Sequence, residues 1–238
     1  MKEIEIKSIN DFHKRIDAYR KSSWFKFRGQ SDSSWKLIPK AGRKPFTNAS
    51  DESLFTHWKR RAISHLPREI YSEWELLAIA QHTGLPTRLL DWTHNPLVAA
   101  FFSASENESK DGAIFVYNPN TVINHKAIEP FEFCENKSKI GFHQPNSSSH
   151  RIISQLGYFS LHTKPKLALD DKTKDGQLEK LIIKKEVKDE LMFMLNQYGV
   201  NYLTIFPDLE GLSKHLSWFA ENYKYWDNSS IDEIIASS

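Results

Sequence analysis

The sequence predicts a single α+β domain whose mixed or antiparallel β core is flanked by helices. Its 238 residues contain several segments with apolar residues at helical spacing and several short apolar runs typical of strands. These segments do not alternate strictly, which favours α+β over a doubly wound α/β fold. No linker divides the chain, so we expect one domain over residues 1–238 with its core at about 20–225.

The first predicted element is a helix over residues 8–20. Ser8 can cap it, and Asp11 lies three residues further on, as in a capping box. The apolar segment 24–29 then indicates a short strand that ends at a turn glycine. The polar segment 30–48, which contains prolines and a glycine, indicates a loop.

At least two helices are predicted within residues 50–82. Gly84 can adopt the left-handed conformation that ends a helix, and Pro86 prevents the helix from continuing. Residues 87–92 are then expected to be extended.

A short, apolar helix is predicted next, because Asn95 is a favourable cap and Pro96 a favourable first helical residue. It should run over residues 97–104 and be buried. A strand over residues 113–117 follows.

The C-terminal half is predicted to contain three strands and two helices. The strands are expected at residues 151–162 (one long strand or a strand pair), 178–184 and 202–206, and a polar surface loop at 135–150. One helix should end at Gly199. Asp208 should cap the last helix, whose apolar face would carry Leu212, Leu216 and Phe219.

Composition excludes several classes of protein. The longest apolar run, Leu97 to Phe102, is far shorter than the about 20 residues of a membrane span. The first ten residues lack the apolar region of a secretion signal. A single cysteine, Cys134, rules out an internal disulfide framework and a Cys-based zinc site. We therefore expect a cytoplasmic protein with no metal and no membrane partner.

The charge balance gives less information about partners. Lys+Arg 32 against Asp+Glu 30 gives a net charge of +2, which neither requires nor excludes nucleic acid. Trp 7, Tyr 8 and Phe 15 can fill a sizeable core, so wholesale disorder is excluded.

The first candidate site is the stretch from Glu75 to Asn95, where polar side chains crowd between two predicted helices. Turns that join buried elements often carry functional groups. A structural role is an equal alternative for two residues here. Arg88 could pair with Asp91 or Glu75, and Trp92 could fill the core.

The second candidate is Phe27-Arg28-Gly29-Gln30. An arginine at the end of an apolar strand, followed by glycine, suits bidentate binding of a phosphate or carboxylate. These four residues alone favour an ordinary surface salt bridge. Glycine-rich phosphate loops, zinc-protease helices, nucleophile elbows and EF-hand loops are all missing from the sequence.

Together these stretches resemble the FRG-domain family, which takes its name from the Phe-Arg-Gly motif. The resemblance covers about residues 20–220. It rests on Phe27-Arg28-Gly29-Gln30, the run GLPTRLLDWT from Gly84 to Thr93, Asn95-Pro96, Asp111-Gly112, Gln155-Leu156-Gly157 and Pro207-Asp208-Leu209.

The order of elements is similar to the core of ADP-ribosyltransferases that use an Arg–Ser/Thr–Glu triad. That resemblance implies a transferase of the toxin or defence kind that uses NAD as substrate. The acceptor would be a macromolecule, either a nucleic acid such as RNA or DNA, or a protein. An inhibitory protein of the antitoxin kind would be a further partner by analogy. Arg28 would take the place of the arginine and grip the NAD, and Thr93, or else Thr87, would supply the hydroxyl.

The resemblance also assigns the remaining roles. At the position where those ADP-ribosyltransferases would have their catalytic Glu, this sequence has Gln155. A glutamine can orient a ribose hydroxyl but carries no charge. Asp91 or Glu75 would supply the carboxylate instead. The residues expected to contact NAD are Arg28, Gly29, Gln30, His82, Thr87, Arg88, Trp92, Tyr158 and Phe159.

Two other functions remain open from the sequence. A non-catalytic nucleic-acid-binding module would use aromatic residues interleaved with Lys and Arg. These are Trp24, Lys26, Trp35, Lys36, Trp58, Lys59, Arg60 and Arg61, for which amphipathic packing with solvated Lys and Arg is the favoured explanation. A metal-free nuclease would be built on His82, Glu75 and Asp91.

Overall fold

The structure, a computed structural model, describes residues 1–66, 71–119, 122–136, 140–144, 157–170 and 178–222. The described residues form one seven-stranded sheet in the order β1-β7-β4-β2-β3-β6-β5. The strands are β1 (Lys2–Ile6), β2 (Lys26–Gln30), β3 (Leu89–Thr93), β4 (Gly112–Tyr117), β5 (Gly141–His143), β6 (Gly157–Leu161) and β7 (Leu178–Ile183). β1 and β7 are parallel and the other neighbours antiparallel, which confirms the α+β class with a mixed sheet.

Helices surround this sheet. They are α1 (Ile9–Tyr19), α2 (Asp51–Ala62), α3 (Glu73–His82), α4 (Pro96–Ala104), α5 (Pro130–Asn136), α6 (Lys188–Gln197), α7 (Tyr202–Ile205) and α8 (Leu209–Glu221). Short 3₁₀ turns occupy Lys40–Gly42, Phe46–Asn48 and Lys185–Val187. Among the described residues, no helix has the length and apolar character needed to cross a membrane.

The predicted helix boundaries are confirmed where capping residues carried the prediction. The side chains of Ser8, Asn95 and Asp208 each accept a hydrogen bond from a backbone N–H in the first turn of α1, α4 and α8. Gly84 and Gly199 both have positive φ, 94° and 77°, just beyond α3 and α6. This left-handed conformation is strained for residues that have a side chain, and glycine therefore ends both helices without that steric cost.

The predicted strand at residues 202–206 is wrong, because the chain forms α7 there. The Asn201 side chain accepts a hydrogen bond from the backbone N–H of Thr204 at 3.1 Å, and the Thr204 hydroxyl accepts one from the backbone N–H of Asn201 at 3.0 Å. This reciprocal capping box closes a helical turn over residues that alone have strand character.

Other boundaries also differ from the predictions. β1 was not predicted, and β5 lies within the segment 135–150 that was expected to be a loop. The first predicted strand runs from Lys26 to Gln30 rather than from residue 24 to 29. Of the predicted strand at 151–162, residues 151–156 lie outside the described residues, and β6 begins at Gly157.

The helices bury two main clusters against the sheet. On one side α1, α4 and α6 pack around Phe12, Phe101 and Leu191. Another cluster joins α2 and α3 to β3 and β6 through Phe55 and Trp74. These clusters fix α3 and α4 relative to the middle of the sheet, and both helices border the candidate site.

The centre of the sheet is divided. β2 pairs with β4 at five residues and β3 pairs with β6 at five residues, but β2 and β3 pair only at Phe27 and Thr93. The sheet is therefore two ladders joined by one residue pair. Beyond that pair, the two central strands leave space between them.

Candidate functional site

A cavity of about 390 Å³ lies where β2 and β3 part. Its volume is within the range of about 300–1,000 Å³ that is usual for small-molecule sites. Strands β2, β3 and β6, the end of α3, the start of α4 and one residue after α7 supply its walls. The lining residues are Phe27, Arg28, Gly29, Gln81, His82, Asp91, Trp92, Thr93, Val98, Ala99, Phe102, Gly157, Tyr158, Phe159 and Phe206.

Arg28 bridges the gap between the two central strands. Its Nη1 donates a hydrogen bond to the backbone oxygen of Asp91 at 2.7 Å and lies 3.5 Å from Asp91 Oδ2. The side chain is 16 % exposed, and its Nε has no hydrogen-bond partner among the described residues. An unsatisfied buried donor beside a cavity is a group that a bound anion could satisfy.

The electrostatic surroundings of Arg28 are mixed. Burial lowers the pKa of its guanidinium, the nearby Asp91 charge opposes this shift, and the positive charge of Arg43 adds to it. An arginine in a protein nevertheless stays protonated. The cavity thus holds a largely buried positive charge with the Asp91 carboxylate beside it.

The Asp91 carboxylate is held at the mouth of the cavity. It is 54 % exposed, and Gln81 Nε2 donates to its Oδ2 at 3.2 Å. The Thr87 hydroxyl donates to Gln81 Oε1, and it also accepts a hydrogen bond from the backbone N–H of Leu89 at 3.2 Å. Thr87 is buried and is not among the residues that line the cavity, and it reaches Asp91 through Gln81.

Gly29 lines the cavity for a packing reason. A Cβ at this position would lie 1.9 Å from the backbone oxygen of Ala99 and 2.8 Å from Cβ of Phe102. Only a glycine therefore lets α4 lie directly on β2. The first turns of α4 form one wall of the cavity, so this contact also sets the shape of the site.

The two β3 residues that follow Asp91 differ in their surroundings. Thr93 is buried beside the cavity, and its hydroxyl accepts a hydrogen bond from the backbone N–H of Asn95 at 3.0 Å. Trp92 is only 2 % exposed, and its indole Nε1 donates to Ser160 Oγ at 2.9 Å. Its ring fills the core with Tyr117 and contributes little free surface to a ligand.

The aromatic wall of the cavity comes from β6. Phe159 is buried, whereas Tyr158 is half-buried, and burial raises the pKa of the Tyr158 hydroxyl. The Tyr158 ring meets the His94 ring edge-on at 4.6 Å, and the Lys26 ammonium lies 4.7 Å from its centre. His82, at the end of α3, is exposed and faces the same cavity.

Arg88 lies outside the cavity lining and pairs with neither Asp91 nor Glu75. Its Nε donates to Asp51 Oδ2 at 2.7 Å and its Nη2 to Asp51 Oδ1 at 2.8 Å, in a two-point pair that is largely buried. The expected partners were wrong because α2 packs its first residue against the start of β3. Arg88 therefore joins α2 to the sheet.

Three other candidate residues are also placed away from the cavity lining or are not described. Glu75 stands in the first turn of α3, where its carboxylate accepts hydrogen bonds from the N–H and hydroxyl of Ser72, both at 2.8 Å. Gln30 is buried, and its amide has no hydrogen-bond partner among the described residues. Gln155 lies outside the described residues.

Several lining residues were not among the predicted ones. Gln81 stood in the polar stretch before β3, so the sequence offered a signal for it. Phe102 and Phe206 are ordinary apolar residues of distant segments, and no local pattern marks them. Within the described parts of the chain, no group of three or more His, Cys, Asp or Glu side chains could hold a metal ion.

Comparison with known proteins gives one match, to part of the chain. The FRG domain model matches residues 23–112, a shorter stretch than the 20–220 over which the sequence resembles the family. No curated protein and no solved structure shows significant similarity to the chain. The matched residues include β2, β3 and α4, so they contain Arg28, Gly29, Asp91 and Thr93. Residues 23–112 therefore match the FRG domain, and this stretch supplies both central strands of the cavity.

Proposed function

We propose that the protein is an NAD-dependent ADP-ribosyltransferase that acts on a macromolecule. The observation that carries this proposal is the position of Arg28, whose buried guanidinium lies in the cavity with an unpartnered Nε beside the Asp91 carboxylate. A fixed cation, a carboxylate and an aromatic wall line this cavity together. NAD offers a pyrophosphate, a ribose and a nicotinamide ring to these three groups.

Arg28 binds the anionic part of the substrate in this proposal. A guanidinium donates hydrogen bonds in a planar fork that matches phosphate oxygens. Because Arg28 is anchored on the Asp91 backbone oxygen, little side-chain freedom is lost when a ligand binds. The Nε atom gains the partner that the described residues do not give it.

Asp91 stabilises the developing charge. Cleavage of the bond between ribose and nicotinamide passes through a state with oxocarbenium character, which a nearby carboxylate favours. Gln81 orients Asp91 from α3, and Thr87 orients Gln81. Asp91 thus takes the role for which Glu75 was the other candidate, since Glu75 is engaged in the first turn of α3.

The chemical step balances without an added oxidant or reductant. The C–N bond between ribose and nicotinamide breaks, and its electron pair leaves with the nicotinamide nitrogen, which becomes neutral. A nucleophilic atom of the acceptor forms a new bond to the same ribose carbon and loses its proton to solvent. Tyr158 offers its ring to the nicotinamide, and the buried Thr93 borders the same space.

The direct test is to incubate the purified protein with labelled NAD and cell lysate, and to measure free nicotinamide and labelled macromolecules. The wild type should release nicotinamide and label an acceptor. Arg28→Ala should abolish both signals, whereas Arg20→Ala, which removes an exposed arginine paired with Asp17, should leave them unchanged. Absence of both signals from the wild type, or equal activity of Arg28→Ala, contradicts the proposal.

A second variant separates binding from chemistry. Asp91→Asn keeps the backbone oxygen that anchors Arg28 but removes the negative charge. We expect turnover to fall by about 10²–10³-fold, the usual effect of losing one electrostatic group that stabilises the transition state, with a much smaller change in KM. An unchanged turnover would assign the charged role to another carboxylate.

A further inference from the structure

A second cavity adjoins the first one. Its volume is about 270 Å³, and Tyr158 lines both cavities. Two consecutive residues also lie on either side of the boundary, since Thr93 lines the first cavity and His94 lines the second. Lys26 and Phe142 line the second cavity deeper in the protein. Two compartments that share one aromatic wall suit a reaction with two substrates.

The second cavity offers mainly aromatic and apolar surface. Tyr158 and His94 meet edge-on at 4.6 Å, and the buried Phe142 lies beside them. At the rim, Trp24 is 58 % exposed and Val122 is 63 % exposed. An exposed indole beside an aromatic pocket is the arrangement with which proteins stack an unpaired base.

The charge of this cavity is positive. The Lys26 ammonium lies 4.7 Å from the centre of the Tyr158 ring and donates to the backbone oxygens of Ser23 at 3.2 Å and Trp24 at 2.9 Å. Burial lowers the pKa of Lys26 to about 8, so the group stays largely charged at neutral pH. The described lining residues include no carboxylate. The cavity therefore disfavours an arginine or lysine side chain and favours a neutral ring on a polyanion.

We propose that the second cavity receives the acceptor, and that the acceptor is a base of single-stranded nucleic acid stacked on Trp24. This inference rests on the proposed function, because it assigns the other substrate of the same reaction. A nitrogen or oxygen atom of the base attacks the ribose carbon at the boundary formed by Tyr158. That atom loses a proton, and the nicotinamide leaves with the electron pair of the broken bond.

Binding without NAD tests the cavity by itself. The probes are short single-stranded RNA and DNA of mixed sequence and the matching duplexes. The wild type should bind single strands more tightly than duplexes at low salt, because a duplex hides its base faces. Trp24→Ala should weaken single-strand binding about 5- to 150-fold, the effect of one lost stack, and Trp24→Phe should retain most of it.

Trp35 provides the matched control. It is 46 % exposed and lines neither cavity, so Trp35→Ala should bind the probes within about twofold of the wild type, as expected for an exposed residue outside the site. Equal binding by Trp24→Ala and Trp35→Ala, or no binding of single strands by the wild type, overturns the inference.

Transfer from labelled NAD distinguishes this inference from the proposed function. Trp24→Ala should lose labelling of the single-stranded probe and still bind NAD, whereas Arg28→Ala should lose NAD binding and retain the probe. If the label reaches a polypeptide and no nucleic acid, the inference is overturned while the proposed function stands. If the wild type binds the probe through Trp24 but never binds NAD, the proposed function fails, and with it the role of acceptor.

Discussion

At the scale of single residues, the largely buried ion pair of Arg88 with Asp51 has a structural role. Arg88 and Asp51 meet through two hydrogen bonds, and their side chains are only 12 % and 9 % exposed. The Arg88 guanidinium also lies 4.6 Å from the centre of the Phe131 ring. Arg88 belongs to the most distinctive stretch of the sequence, yet its contacts explain its presence through packing.

We predict that Arg88→Ala destabilises the fold by about 3–5 kcal/mol, because it leaves the buried Asp51 carboxylate without its partner. Denaturant unfolding measures the change. Arg20→Ala breaks the exposed pair with Asp17 and should cost less than about 1 kcal/mol. A loss of similar size in both variants would show that Arg88 does not stabilise the fold in this way.

His143 gives the fold a pH dependence. It is 3 % exposed, its ring lies 4.4 Å from that of Trp74, and neither ring nitrogen has a hydrogen-bond partner among the described residues. Burial, and next the nearby His125, lower its pKa to about 4, while Glu75 opposes the shift. The folded protein therefore keeps this imidazole neutral well below the usual value of 6.5.

Between pH 6.5 and about 4, the unfolded chain binds a proton at His143 that the folded chain does not bind. The contribution of His143 to the free energy of unfolding is therefore complete above pH 6.5. As the pH falls towards about 4, this contribution drops by roughly 3 kcal/mol in total. His143→Phe, which keeps a ring against Trp74, should reduce this slope. His57→Ala, at an exposed position, is the control. An unchanged slope in His143→Phe would contradict the assignment.

At the scale of elements, the glycine of the Phe-Arg-Gly motif joins a strand to a helix. Position 29 leaves no space for a side chain below α4, since the obstacle is the backbone oxygen of Ala99. The same helix supplies Val98, Ala99 and Phe102 to the cavity. A change at Gly29 should therefore move a wall of the site as well as reduce stability.

We predict that Gly29→Ala costs about 3 kcal/mol or more, at the upper end of the range for overpacking, because backbone must shift. Gly199→Ala is the matched control. It meets nothing within 4 Å, and its φ of 77° should cost only about 1–2 kcal/mol. Thermal unfolding compares the two variants. A smaller loss for Gly29→Ala than for Gly199→Ala would contradict the packing role.

The sequence predicted elements best where a capping residue marks a boundary. Asn95 with Pro96, Asp208 and Gly84 each fix a helix end through local contacts, so a short window of sequence contains the signal. β1 was missed because its stability comes from pairing with β7, more than 170 residues away, as in Lys2 with Glu179. α7 was misassigned because four residues are too few to show helical periodicity.

The residues of the candidate site also differ in how far the sequence could predict them. Arg28, Asp91 and Thr93 could be named from the sequence because polar residues stand out within otherwise apolar strands. The Asp51 partner of Arg88 could not, since it depends on how α2 packs on the sheet. Phe206 reaches the cavity through the position of α7, which no local pattern encodes.

At the scale of the whole molecule, the site exists because the sheet has two parts, β1-β7-β4-β2 and β3-β6-β5. These parts are joined only by the residue pair Phe27 and Thr93. β2 stays with β4 and β3 stays with β6, each over five pairs, and the cavity opens between them. The clusters around α4 and around α3 hold the two ladders in place on either side. A site that contains the Arg28–Asp91 ion pair thus forms near the centre of the sheet.

We propose that this opening binds NAD through Arg28, and the melting temperatures of the wild type and of Arg28→Ala, each with and without NAD, check this proposal. A ligand that binds only the folded state stabilises it by about 2.7 kcal/mol at a concentration of 100 Kd, or about 2–4 °C per kcal/mol for a chain of this size. The melting temperature of the wild type should rise with NAD concentration, and that of Arg28→Ala should not change. No rise in the wild type, or an equal rise in both proteins, would contradict it.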